Sequence, residues 1–229
     1  MLAVIDYRSS KESLTNLNLY VEDIYLFRTE GITYNSISGH PDIFIYHDNN
    51  NLIAAPNSPS SLFILLDKYK VKYRIGKKHV GEKFKESVAY NCLGTPKYFF
   101  HKKGYTEETV LEVTVDKKFI NLPQAYTRCG LIYLGHDAFM TSDKGIEKEL
   151  IKNNFKCFFF DPSEINIPGH RNGFIGGCSG ITNNKIFFNG NIDLHKDGAG
   201  LRNYIQNYGM EIICLGNHKL YDGGCIIFI

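Results

Sequence analysis

The sequence predicts a mixed α/β fold in which five strand-strand-helix-strand units close into a pseudosymmetric propeller. Three observations predict it. The same order of elements recurs along 229 residues, at about 46 residues per unit, within the range of repeat architectures. The chain ends on Cys225-Ile226-Ile227-Phe228-Ile229, an apolar strand signal where termini ordinarily fray. It begins on MLAVID, residues 1–6, which is the strand that the terminal run lacks as a partner. A strand-rich unit of this size cannot bury both faces alone, and a ring of five supplies every unit with two neighbours. A plain α/β sandwich is the alternative architecture. The ring is one domain spanning residues 1–229.

Each unit follows from local signals. The termini share one: CIIFI is its first strand, MLAVID its second, SSKESLTNLNLY its helix and VEDIYLF its last strand. Residues 43–75 form the next, with IFIY and LIAAP flanking the turn HDNNN. There Asn57-Ser58-Pro59 starts the helix SSLFILLDKYK, and VKYRI returns as a strand. A weaker unit starts at Lys97, where KYFF, TVLEVTV and KFINL read as strands and the helix is short or missing. In residues 131–160, LIYL and AFMTS flank a GHD turn; Ser142 or Asp143 caps KGIEKELIKNN, and KCFFF follows. In residues 174–215, FIGGCSGI and KIFFNG flank TNN, a helix covers 199–208, Gly209 ends it and MEIICL closes the unit.

Composition removes several classes of function. A formal charge of +2, with no long Lys/Arg run, gives no electrostatic reason to expect nucleic acid. The apolar runs are too short to span a bilayer. Met1 opens into Leu2-Ala3-Val4-Ile5 without a signal-peptide pattern, so a cytoplasmic protein is expected. Abundant Lys, Asn and Ile point to an AT-rich bacterial or phage genome. Six cysteines stand at 92, 129, 157, 178, 214 and 225; none forms a CxxC pair, and free thiols are expected. Cys157 and Cys214 lie in apolar runs and read as core residues.

Ring closure carries a second consequence. A short polar or glycine-bearing stretch precedes each first strand: GHPD, YNC, QAYTRCG, GHRNG and DGGC. In a closed ring these fall at one end of one axis, so His40, Asp42, Asn91, Cys129, His170, Asn172, Asp222 and Cys225 converge. The second strands return to the same end, bringing Asn57, Asp143 and Asn191 nearby. A convergent thiol is a nucleophile for an sp² carbon, a histidine moves protons, and carboxylates pair with a cationic group such as a guanidinium. The bland readings stand beside these. A cysteine before an apolar strand is commonly core, Asp143 and Asn191 read as helix caps, and a Gly-His pair can close a loop.

The ring of five such units, with GHPDIFIY, QAYTRCGLIYL, TSDKGI, GFIGGCSG and the late DGG, resembles the pentein superfamily of guanidine-modifying enzymes. It is most similar to an uncharacterised bacterial family with that fold. The resemblance implies a five-bladed α/β propeller with a polar central site. It implies Cys225 as the catalytic nucleophile and His170 as the general acid/base. Asp143, Asp42, His40, Asn172, Asp222, Asn91 and Cys129 are the substrate-binding candidates. The sequence departs from the enzyme pattern at Arg171-Asn172, where His-x-Asp is usual, and at Gly224, where a histidine is usual; no EGGD-type acidic pair is present.

The function expected is therefore cysteine-dependent hydrolysis or transfer on a guanidinium-type small molecule. No cofactor and no metal are expected, and a homo-oligomer is left open. Non-catalytic binding of a small molecule or an interaction partner on the same scaffold is the alternative. A metal-dependent site built on His40, His170 and the carboxylates has the least support from spacing.

Overall fold

A computed structural model describes residues 1–229. Fifteen strands form five three-stranded sheets. In chain order they are β1 (Leu2–Asp6), β2 (Asp23–Phe27), β3 (Ile45–His47), β4 (Leu52–Ala54), β5 (Arg74–Ile75), β6 (Leu93–Gly94), β7 (Tyr98–His101), β8 (Lys118–Asn121), β9 (Leu131–Gly135), β10 (Ala138–Thr141), β11 (Lys156–Phe159), β12 (Ser179–Thr182), β13 (Lys185–Phe188), β14 (Glu211–Cys214) and β15 (Ile227–Phe228). Every sheet repeats one topology. Its first strand pairs antiparallel with the second, and the second pairs parallel with the third across a helical crossover. This is the five-unit arrangement of strand, strand, helix and strand that the sequence predicts.

The seam joins the two ends of the chain. β1 pairs antiparallel with β15, with Ala3 opposite Phe228 and Val4 opposite Ile227. The Leu2 N–H donates to the Ile229 carbonyl at 2.7 Å, and the Ile229 N–H returns to Leu2 at 3.0 Å. Alternation drives both seam strands into two cores at once. Ala3, Ile5, Ile226 and Phe228 pack with Phe187 and Leu215 of one neighbouring blade. Val4, Cys225 and Ile227 pack with Phe44, Ile45 and Ile53 of the other. A polar pin lies below the seam. Asp6, wholly buried at the end of β1, receives the Arg8 guanidinium at 2.6 and 2.9 Å and the Tyr221 hydroxyl at 3.3 Å. Arg8 also donates to the carbonyls of Asn35 and Ser36, tying the first loop to the last.

Local chemistry explains where the structure departs from the sequence pattern. TVLEVTV is not a strand: residues Glu108–Val113 are helical, started by the Glu107 carboxylate, which accepts from the Val110 N–H at 3.0 Å. That cap and the burial of Thr109 and Val110 override the β-branched preference. KYFF is the middle strand of its sheet, and its first strand is only Leu93–Gly94. Pro41 starts a one-turn helix, Pro41–Phe44, so the first strand of the second blade begins at Ile45. VKYRI contributes only Arg74–Ile75. Cys157 and Cys214 are half-buried rather than core, because they lie on third strands at the outside of their blades. The hairpin turn His136-Asp137 has φ of 50° and 57°, the left-handed pair that a tight two-residue turn requires.

Phe228 tests the seam. Its ring is 6% exposed and stacks on Phe187 at a centroid distance of 4.9 Å. Phe228→Ala should lower unfolding free energy by about 3 kcal/mol, as for other buried aromatic truncations, with the urea m-value unchanged. Leu19→Ala, at a position 77% exposed, should leave the urea midpoint where it is.

Candidate functional site

A ring of hydrogen bonds passes through all five blade mouths. The Asp42 N–H donates to Gly224 O at 3.3 Å, and the Asn91 amide donates to Asp42 O at 3.3 Å. The Thr127 N–H donates to Asn91 O at 3.1 Å, and the Cys225 N–H donates to Gly177 O at 2.8 Å. Between the mouths that carry Cys129 and Gly177 the link is the Arg128 guanidinium, which donates to Gly176 O at 3.5 Å. A side chain at Gly176 would collide with the Arg128 and Cys129 carbonyls, so only glycine lets these two mouths meet. The strand starts thus converge because each is preceded by one tight turn whose polar groups bond to the next blade.

Six of the predicted residues are brought together and buried: His40, Asp42, Asn91, Cys129, Asp222 and Cys225. The Cys129 thiol donates to Asp42 Oδ2 at 2.9 Å, and Asn91 Nδ2 donates to Cys129 Sγ at 3.3 Å. Asn91 Oδ1 accepts from the Arg128 N–H at 2.8 Å, which fixes the amide's orientation. Asp222 is a backbone organiser, accepting from the Phe174 and Gly224 N–H groups at 2.8 and 3.1 Å. His40 packs against Gly224, where any side chain would strike its imidazole, and its Nε2 stands 3.8 Å from Asp6 Oδ2.

Other predicted residues make their hydrogen bonds outside this cluster. His170 is exposed, and its Nε2 meets Ser36 Oγ at 2.9 Å. Asn172 is half-buried on the same loop. Asp143 caps the helix Lys144–Lys152, its Oδ1 accepting from Gly145 and Ile146 N–H at 2.7 and 2.9 Å. Asn191 caps a 3₁₀ turn, and Asn57 pairs with the backbone of Val80.

Inside the ring is a cavity of about 500 Å³. All five first strands line it, through Ile45, Leu93, Ile132, Ile181 and Ile227, so it follows the propeller axis. Its polar groups include Asp42, Cys225, Arg128, His47 and Asp48. Cys225 has φ of 65°, a left-handed conformation rarely adopted by a residue with a Cβ. Three of these cavity residues were not singled out in the sequence. Arg128 was visible only as the residue before Cys129. His47 and Asp48 read as turn residues, yet Asp48 is held by Lys117 and Tyr46 at 2.5 and 2.9 Å.

Burial dominates the electrostatics. It pushes the Cys225 thiol up; the Arg128 charge works against that rise, while Asp42 and Asp222 add to it. Asp42 is raised to about 6 by burial, opposed by the Cys129 hydrogen bond and by Arg128. Asp222 is raised to about 7, again by burial first. His40 is lowered to about 3 by burial and then by the charges of Arg8 and His170, so it is neutral at ordinary pH. His47 is lowered to about 4, also mainly by burial. The cluster therefore offers a neutral imidazole, a carboxyl that titrates near neutrality and thiols that remain protonated until something cationic arrives.

The chain shares its fold with solved guanidine-modifying enzymes. DDAH from Pseudomonas aeruginosa, complexed with citrulline, aligns over 93% of this chain and 91% of its own, with a TM-score of 0.53 and 12% identity. Agmatine deiminase from C. jejuni aligns over 96% and 78%, with a TM-score of 0.56 and 11% identity. An amidinotransferase from Microseira wollei, of a saxitoxin biosynthetic pathway, aligns over 93% and 87%, with a TM-score of 0.55 and 9% identity. At these identities the likeness is one of fold. No curated protein matches the sequence. Residues 4–227 match the model of a family of unknown function, DUF6873, and the chain belongs to that family.

Proposed function

We propose that the axial cavity binds a guanidinium-type small molecule and that Cys225 attacks it. One observation carries this reading: Asp42 Oδ1, wholly buried beside the cavity, has no hydrogen-bond partner. An orphaned buried acceptor costs about 1–3 kcal/mol, and a cationic N–H donor removes that cost with a charge-assisted bond. The shared fold with enzymes that act on such groups supports the same class of ligand.

The chemistry follows from the groups present. The Cys225 thiol gives its proton to Asp42 as sulfur bonds to the central guanidinium carbon, and the cation's charge is consumed in a neutral tetrahedral adduct. Asp42 then returns the proton to one nitrogen, the C–N bond breaks, and an amine leaves behind a thiouronium on Cys225. Water, or an acceptor amine, displaces the sulfur and restores the thiol. Asp42, at about 6, is matched to giving and taking this proton near neutral pH. Arg128 stabilises the thiolate as it forms.

The raised thiol of Cys225 favours a second reading, in which the cavity binds such a cation without reacting. Cys225→Ala separates the two. On the catalytic reading it abolishes turnover of the bound compound and leaves binding intact; on the second reading there is no turnover to lose.

The cation preference is directly measurable. Chloroacetamidine carries a guanidinium-like charge beside an alkylating carbon, and chloroacetamide is its neutral counterpart. Chloroacetamidine should label Cys225 at least ten times faster than chloroacetamide, read by peptide mass spectrometry. Asp42→Asn should erase that ratio. The preference should also shrink as pH falls through about 6, because protonation of Asp42 removes the charge that recruits the cation. Equal labelling rates, or labelling confined to the half-buried Cys157 and Cys214, would remove this reading.

A further inference from the structure

The blade-mouth cluster contains a second recognition element, distinct from the thiol at the cavity. His40, Asp42 and Cys129 each offer one ligand atom, and those atoms lie within 4.8 Å of one another. The three side chains are 1%, 0% and 3% exposed. Neither ring nitrogen of His40 nor Oδ1 of Asp42 has a hydrogen-bond partner within 3.5 Å; the neighbours of His40 are the Asp222 backbone and Asp6 Oδ2, the latter at 3.8 Å. Buried polar atoms are almost always paired, so three orphaned atoms on two adjacent residues mark a site built for a partner outside the chain.

We propose that His40, Asp42 and Cys129 form a binding site for a divalent transition-metal ion of zinc type. The donor set is one imidazole nitrogen, one carboxylate oxygen and one thiolate sulfur. Sulfur and imidazole together exclude magnesium and calcium, which take oxygen ligands, and suit zinc. Zinc bonds of about 2.0–2.3 Å in a tetrahedron place ligand atoms about 3.5 Å apart. The ligand atoms of the cluster bracket that spacing: Cys129 Sγ lies 2.9 Å from Asp42 Oδ2, and no two of the three are more than 4.8 Å apart. Binding releases the Cys129 thiol proton to solvent. The metal's two positive charges are then balanced by one thiolate and one carboxylate, with His40 neutral, so the buried complex carries no net charge. Asn91 supports the set from outside, donating to Cys129 Sγ and held in turn by the Arg128 N–H. Three protein ligands leave a fourth position for water or substrate.

This site shares Asp42 with the guanidinium reading, so metal and guanidinium exclude each other at that carboxylate, and its test needs no guanidinium compound. Cobalt(II) is titrated into the full-length protein and followed by absorption. Wild type should show a thiolate-to-cobalt charge-transfer band with tetrahedral d–d bands, displaced by zinc. Cys225→Ser should keep these bands. Cys129→Ser should lose the charge-transfer band, and Asp42→Asn should weaken cobalt binding at least tenfold, with near-ultraviolet circular dichroism verifying that each variant is folded. X-ray absorption on the zinc-loaded wild type needs no variant and should count one sulfur among the ligands. No cobalt band in wild type, a charge-transfer band surviving in folded Cys129→Ser, its loss in Cys225→Ser, or a sulfur count of zero or two would each overturn the assignment.

Discussion

The pairing of the first and last strands is the constraint on which the other features rest. β1 is the middle strand of its sheet, so without β15 its sheet would lack the strand that faces the axis. Gly224 and Cys225 reach the axis only because the residues immediately after them are held in that pairing. The seam is apolar on both faces and is pinned beneath by the Asp6–Arg8 pair. A buried ion pair of this kind is weak evidence for net stability, since desolvation offsets much of its Coulomb energy. Its value lies in geometry: Arg8 also binds carbonyls at Asn35 and Ser36, so one side chain registers the start of the chain against the loop that carries His40.

Ring closure also accounts for the chemistry of the mouth. Five strand starts meet at one axis, where the turns touch and leave too little room for bulky side chains. Glycines at 176, 177 and 224 let the turns touch, and a side chain at any of them would collide with a neighbouring blade or with Asp222. The polar residues that remain satisfy one another incompletely. Asn91 and Asp222 are fully engaged with backbone amides, whereas His40 and one oxygen of Asp42 are not. That imbalance separates the residues that build the ring from those free to meet a ligand.

Much of this was legible in the sequence, for identifiable reasons. A strand signal on the last five residues, where none should survive unpaired, revealed the seam. The unit period then placed His40, Asp42, Asn91, Cys129, Asp222 and Cys225 at one axis without any knowledge of their contacts. The same reasoning carried His170 and Asn172 along, but their loop keeps them at or near the surface, a matter of loop path that periodicity does not encode. Arg128 and His47 escaped notice because strand and turn propensities say nothing about which way a side chain leaves a one-turn helix or a strand end. The third blade was read poorly because its first strand is two residues long and its helix is written in β-branched residues, with a carboxylate cap supplying what propensity lacks.

Amide hydrogen exchange at the two ends of the chain measures ring closure directly. The account predicts that Leu2 and Ile229, which exchange hydrogen bonds across the seam, open only with global unfolding and share the protection of the innermost strands. Exchange of these two amides at the rate of free termini, in a protein whose other blades remain protected, would contradict it.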